Sequence, residues 1–156
     1  MNQKLKPIIA VAIAAILVSC DRNVVFKQNL SLDAQPWAAE RPLSFAFFVE
    51  DTVSGHDMLF NVRNNNHYPY RNLYLFVEAQ LPNGRKTIDT LECLLADDRG
   101  QWYGGGLGSH YDNRFRYKVN THFPASGNYT LNVFQAMRDS LLPGITDVGL
   151  LIKKSE

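Results

Sequence analysis

Between Leu73 and Leu95 the chain spells out a β-hairpin, and few folds can accommodate that stretch in any other form. Leu73, Leu75 and Val77 fall on one face of an extended strand, Tyr74 and Phe76 fall on the other, and no breaker intervenes before Pro82. Asn83-Gly84 then turns the chain. Asn-Gly suits a type I′ turn, in which both central residues need positive φ, so Lys86 to Leu95 is predicted as the returning strand.

Similar short alternations recur along the sequence. An apolar group Val24-Val25-Phe26 opens the first strand, and Leu43 to Glu50 reads as another, with Leu43, Phe45, Phe47 and Val49 on one face. Phe48 lies on the opposite face, which predicts a central rather than an edge strand. Met58 to Arg63 follows the Gly55 turn as its expected hairpin partner. Phe115, Tyr117 and Val119 alternate with Arg114, Arg116 and Lys118, predicting one core face and one basic, solvated face. Tyr129, Leu131 and Val133 mark a further strand, and Val148, Leu150 and Ile152 the last. Residues 135–142 leave room for a short helical turn before Pro143-Gly144 stops it. The expected fold is all-β: a single antiparallel β-sandwich of about eight strands over residues 24–156, with a closed barrel as the alternative because alternation alone does not separate the two.

The amino terminus carries a different signal. Lys4 and Lys6 precede an apolar run from Ile8 to Val18 that ends in Leu17-Val18-Ser19-Cys20. That run is shorter than the ~20 residues needed to cross a bilayer core and falls within the roughly 7 to 15 of a signal-peptide core. No Ala-x-Ala-like site closes it. Residues 1–19 are therefore expected to be a lipoprotein signal peptide, Cys20 the lipidated residue, and 20–23 a short linker holding the domain near the membrane through acyl chains. Asp21 alone supports no conclusion about sorting. With Cys20 acylated, Cys93 is the one remaining cysteine and no intramolecular disulfide can form, so the fold must rest on packing. Its setting, Leu91-Glu92-Cys93-Leu94-Leu95, predicts a buried, inert thiol. With Lys4 and Lys6 set aside the net charge is about −1, which offers nothing to nucleic acid.

Catalytic patterns are absent. His56, His67, His110 and His122 fall in predicted loops without metal-ligand spacing and are expected to be solvated, so no metal or other cofactor is expected. Asp97-Asp98-Arg99-Gly100 lacks the alternating oxygens of a calcium loop and reads as a turn. The glycines from Gly104 to Gly108 resemble a phosphate cradle only in composition, and backbone flexibility beside Trp102 accounts for them better. There is no Gly-x-Ser-x-Gly elbow, and Ser109-His110 adjacency is not a triad. No catalytic residue is assigned and an enzyme is not expected. Trp37, Tyr68, Tyr70, Trp102, Tyr103 and Tyr111 lie in predicted loops, where they either roof the ends of the sandwich or line a protein- or sugar-binding surface.

Four runs carry a family resemblance: Tyr68-Pro69-Tyr70-Arg71-Asn72-Leu73, Ile88-Asp89-Thr90-Leu91-Glu92, Gly100-Gln101-Trp102-Tyr103-Gly104, and Met137-Arg138 followed by Leu142-Pro143-Gly144-Ile145-Thr146-Asp147-Val148-Gly149. In this order, behind a lipoprotein signal, they resemble the gliding-motility lipoprotein GldH family of Bacteroidetes. The resemblance implies a non-catalytic cell-envelope lipoprotein, facing the periplasm, that serves surface gliding and the associated type IX secretion machinery. Members also occur in non-motile species, where secretion or envelope assembly is the more plausible role. Of the family's residues only the lipidated cysteine transfers, onto Cys20. Two readings follow. In one, Tyr68, Tyr70, Trp102 and Arg138 contact other envelope lipoproteins or gliding and secretion components. In the other, the sandwich is a lipid-anchored glycan-binding module that stacks sugars on Trp37, Trp102 or Tyr103.

Overall fold

The computed structural model describes residues 23–32 and 35–156. The expected signal peptide, Cys20 and the linker up to residue 22 lie outside the described residues. Ten strands follow in chain order: β1 (Val24–Ser31), β2 (Trp37–Ala38), β3 (Leu43–Val49), β4 (His56–Asn65), β5 (Asn72–Gln80), β6 (Lys86–Leu94), β7 (His110–Thr121), β8 (Gly127–Gln135), β9 (Leu141–Leu142) and β10 (Ile145–Lys154). They form two four-stranded antiparallel sheets, ordered β1-β10-β4-β7 and β3-β8-β5-β6, with β2 and β9 paired as a small ribbon. The fold is the expected sandwich, open at its edges rather than closed as a barrel.

Alternation explains why the sheets stack. Phe45, Phe47 and Val49 of β3, Leu73, Leu75 and Val77 of β5, and Tyr129, Leu131 and Val133 of β8 face inward from one sheet; Met58, Phe60 and Val62 of β4 and Val148, Leu150 and Ile152 of β10 meet them from the other. Rings knit the layers, with Phe26 to Phe47 at 5.3 Å and Phe45 to Phe60 at 6.5 Å between centroids. Burial of these side chains, each contributing about 1.5–3 kcal/mol, supplies the stability, with no disulfide among the described residues. Cys93 is free and fully buried, and desolvation pushes its thiol up to about 12.

Five expectations are corrected by the structure. First, β3 is an edge strand, paired only with β8, and Phe48 points to solvent, 58% exposed. Second, β4 is not the hairpin partner of β3: it lies in the other sheet between β10 and β7, because the 50–55 turn carries the chain across the sandwich. Third, the turn after β5 is not type I′. Only Gly84 has positive φ (80°), Gly84 N–H donates to Leu81 O, and Leu81 N–H donates to Arg85 O. Pro82, with φ fixed near −65°, takes the second position of a type I turn and Gly84 the left-handed position after it, a three-residue loop instead of two.

Fourth, residues 135–142 contain no helical turn. The Gln135 side chain supplants it, accepting from Met137 N–H at 2.8 Å and donating to Asp139 O at 2.7 Å, which gives that backbone partners a helix would otherwise supply. Fifth, Val119 does not continue the inward face of Phe115 and Tyr117. Register shifts between β4 and β7 in its vicinity, and a φ of 49° at Asn120, mark a bulge that turns it outward.

Phe60→Ala removes a fully buried ring that touches Phe45 and Tyr117. The expected cost is about 3–5 kcal/mol in urea unfolding, with the m-value unchanged.

Candidate functional site

Antiparallel pairing gives the sandwich two distinct ends. The chain enters at Asn23, whose carbonyl accepts from Lys154 N–H at 2.8 Å, and the same end carries the start of β4 and the close of β7. β1 then runs its 8 residues, roughly 25 Å at about 3.3 Å each, to the far end. There Asn65 of β4 sits opposite His110 of β7, and the 67–71, 96–109 and 136–144 loops gather.

The four residues singled out for partner contact all lie at this far end. Tyr68 is buried, its hydroxyl donating to Asn72 O at 2.7 Å, and burial pushes its pKa far above the usual range. Its ring meets Tyr70 at 5.9 Å and Trp102 at 6.4 Å, and Trp102 meets Tyr111 at 5.5 Å. The result is a ladder of four rings whose outer members are half-buried. Tyr70 donates its hydroxyl to Asp139 Oδ2 at 2.8 Å, and that bond, with the carboxylate charge, raises its pKa. Arg138, exposed, is the neighbour of that aspartate. Tyr68 therefore supports the ladder from beneath, whereas Tyr70, Trp102 and Arg138 reach solvent.

Beside the ladder lies a groove of about 550 Å³, floored by Pro143, Gly144, Ile145 and Thr146 and walled by His67 and His110. The carboxy-terminal motif that carries the resemblance thus forms a surface. Sequence reasoning did not single out this groove, since its lining comes from the ends of β1, β4, β7 and β10 and the loops beside them and meets only through the sheet register. The 100–108 segment is held in place. Ala96 pairs with Trp102 and Gly105 with Asp112 as isolated bridges, and a Cβ at Gly106 would sit 2.0 Å from His110 O. Close backbone approach, not flexibility, explains that glycine.

Among the other sequence candidates, Trp37 is in β2, 1% exposed, with its indole N–H donating to Arg41 O, so it has no face free to stack on a sugar. Tyr103 is exposed. His56 is buried edge-on to Phe123 at 5.2 Å instead of solvated, whereas His67, His110 and His122 are exposed. Among the described residues no cluster of His, Cys, Asp or Glu has the make-up of a metal site. Asp97 closes a turn by accepting from Arg99 and Gln101 N–H groups, both at 2.8 Å. A second surface went unremarked: Tyr74, Phe76 and Ile88 stand exposed on the outer face of β5 and β6. The opposite-face aromatics of the 73–81 alternation were its signal.

The small β-sandwich gathers an aromatic ladder and a groove at the end remote from Asn23, where its first strand begins. The chain belongs to the GldH lipoprotein family, which matches over residues 24–152. It is 37% identical over 145 residues to the gliding motility lipoprotein GldH homolog of Christiangramia forsetii, covering 88% of each chain. It is 33% identical over 150 residues to the gliding motility lipoprotein GldH of Flavobacterium johnsoniae, covering 92% of each. Among solved structures, a β-porphyranase of glycoside hydrolase family 86 from Bacteroides plebeius aligns with a TM-score of 0.42 at 15% identity, over 86% of this chain and 21% of that one. A family 35 carbohydrate binding module from Clostridium thermocellum aligns at 0.36 and 12%, over 81% and 88%. Likenesses this weak carry no inference about binding.

Two outcomes follow from the far end. Gln135→Ala strips partners from Met137 N–H and Asp139 O, and is expected to cost about 2–4 kcal/mol in urea unfolding and to change Trp102 emission. The folded state also favours the neutral forms of Cys93, Tyr68 and Tyr70, since their pKa values are raised. That contribution is intact below pH 9 and lost above it, through about 12 for Cys93 and from about 10 upward for the tyrosines. The urea midpoint should accordingly hold level to pH 9 and fall beyond it.

Proposed function

We propose that this protein is a lipid-anchored, non-catalytic interaction component of the gliding-motility apparatus and the type IX secretion machinery tied to it, acylated at Cys20 and facing the periplasm. Residues 1–19 are its signal peptide and residues 24–156 its working domain. Membership of the GldH lipoprotein family supports the anchored, motility-linked role.

The observation that carries the interaction reading is the polarity of the sandwich. The chain enters at Asn23, and Tyr70, Trp102 and Arg138 stand at the opposite end, roughly 25 Å away along β1. An anchor on one end and aromatic and arginine side chains on the other is the arrangement a partner-binding module needs, since Trp, Tyr and Arg dominate interface hot spots. The buried Trp37 weakens the glycan alternative, because it leaves only Trp102 and Tyr103 of the three candidate stacking rings.

A photo-crosslinking residue at Trp102 or Tyr70 in intact cells should capture an envelope protein that the same residue at Arg116, exposed on an outer sheet face, does not. Capture of nothing, or of the same proteins from Arg116, defeats the interaction reading. Millimolar glycan binding lost on Trp102→Ala would replace it with the sugar-binding one. Anchoring is tested separately: Cys20→Ala should abolish incorporation of a fatty-acid probe.

A further inference from the structure

The end of the sandwich where the chain enters has its own unexplained feature. Val119 continues the sequence alternation of Phe115 and Tyr117 and would be inward-facing in a regular strand, yet it is 58% exposed. The shifts of register around Met58 and the left-handed φ of Asn120 turn it out. A β-bulge re-aims a side chain, and here it re-aims an apolar one toward solvent. The bulge is fastened: Asp57 Oδ1 accepts from Asn120 N–H at 2.9 Å and from Ser155 Oγ at 2.6 Å.

The neighbouring loop does the same with Val53, which is 86% exposed. This loop is also fixed. The Asp51 carboxylate accepts from Val53 N–H at 3.0 Å, from Ser54 N–H at 2.9 Å, and from Lys154 Nζ at 2.7 Å. Ser155 N–H donates to Gly55 O at 2.9 Å, tying the loop to the end of β10. Val53 and Val119 therefore project from two braced segments at one end of the molecule, with Val25 and Phe48 exposed on the flank.

We infer that this end seats directly on the lipid bilayer, with Val53 and Val119 as the side chains that enter it. The inference rests on acylation of Cys20, proposed above. Two residues, Asp21 and Arg22, separate Cys20 from Asn23, and the three steps between them reach at most roughly 10 Å at about 3.5 Å each, so an acylated Cys20 holds this end within side-chain reach of the lipid. The lysines here have acidic partners, and the exposed charges that remain at this end, Glu50, Arg85 and Glu156, are of mixed sign. Lys154 pairs with Asp51 at 2.7 Å and Lys118 with Asp89 at 2.8 Å, while Lys153 lies in the field of Asp57. The contact is consequently apolar, and it does not require anionic headgroups.

The test uses the full-length, lipidated protein reconstituted into phosphatidylcholine vesicles. Val53→Cys, Val119→Cys and, as a far-end control, Leu107→Cys (94% exposed in the wild type) are made singly and labelled with an environment-sensitive fluorophore. Cys93 is buried and does not compete for label. Labels at 53 and 119 should emit to the blue of the label at 107 and be quenched by spin-labelled lipid at least several-fold more. Adding anionic lipid should leave that ratio unchanged. If the protein floats with the vesicles but positions 53 and 119 are reached by aqueous iodide as readily as 107, the seating is wrong and the anchor stands. If the protein does not float, the anchoring reading falls and the seating with it. A signal that appears only with anionic lipid overturns the apolar contact.

Discussion

The far end of this sandwich hangs on one buried amide. Gln135, at the last inward position of β8, donates to Asp139 O and Trp37 O and accepts from Met137 N–H. It thereby joins β8 to the 136–140 segment and to the β2 ribbon. Asp139, so positioned, accepts the Tyr70 hydroxyl; Tyr70 packs on Tyr68, Tyr68 on Trp102, and Trp102 on Tyr111. A buried polar side chain with its hydrogen bonds made is compatible with a core, and one left short is not. The aromatic surface is therefore coupled to the core through a side chain that never reaches solvent.

The two sheets treat their outer faces differently. On the β1-β10-β4-β7 side, Leu59 and Leu151 are neighbours in register, flanked by Arg116 and Lys27, and both are buried although they point away from the core. Arg63 spans to Asp112 and Asp147 on the same face. Long charged side chains carry apolar stems, and such stems cover leucines while keeping their charges in water. On the β3-β8-β5-β6 side, Tyr74, Phe76 and Ile88 have no such cover. At the β6 and β7 margin the sheets are bridged by Asp89, which accepts from the Tyr117 hydroxyl at 2.7 Å and pairs with Lys118; these two partners hold its carboxyl below the usual range, with Lys118 the stronger influence.

Much of this was legible in sequence, because a period of two is strong in β3, β5, β8 and β10, and burial follows it. The sandwich came from that pattern, and the buried thiol from the leucines around Cys93. What escaped depends on contacts between distant residues. Phe48 looked central because an apolar side chain on each face usually means cover on both; strand order alone reveals the edge. The supposed helical turn at 135–142 failed because Gln135 offered the backbone a local substitute, an amide acting where a helical hydrogen bond would. Val119 followed the period until the bulge at Asn120, and bulges leave no periodic trace. The ladder was half legible: residue type marked Tyr68, Tyr70 and Trp102, but only the fold shows that Tyr68 lies under the other two. The groove at Pro143–Thr146 needed the pairing of Asn65 with His110 before His67, in the loop after β4, and His110 could face one another across it.

The direction of β1 has a mechanical consequence. Its hydrogen bonds to β10, from Phe26 opposite Ile152 to Ser31 opposite Asp147, lie across the strand axis. Tension entering at the aromatic end and leaving through Asn23 would act along that axis, loading these bonds together in shear instead of opening them one after another. A domain of this kind can transmit force through its first strand while its core stays closed.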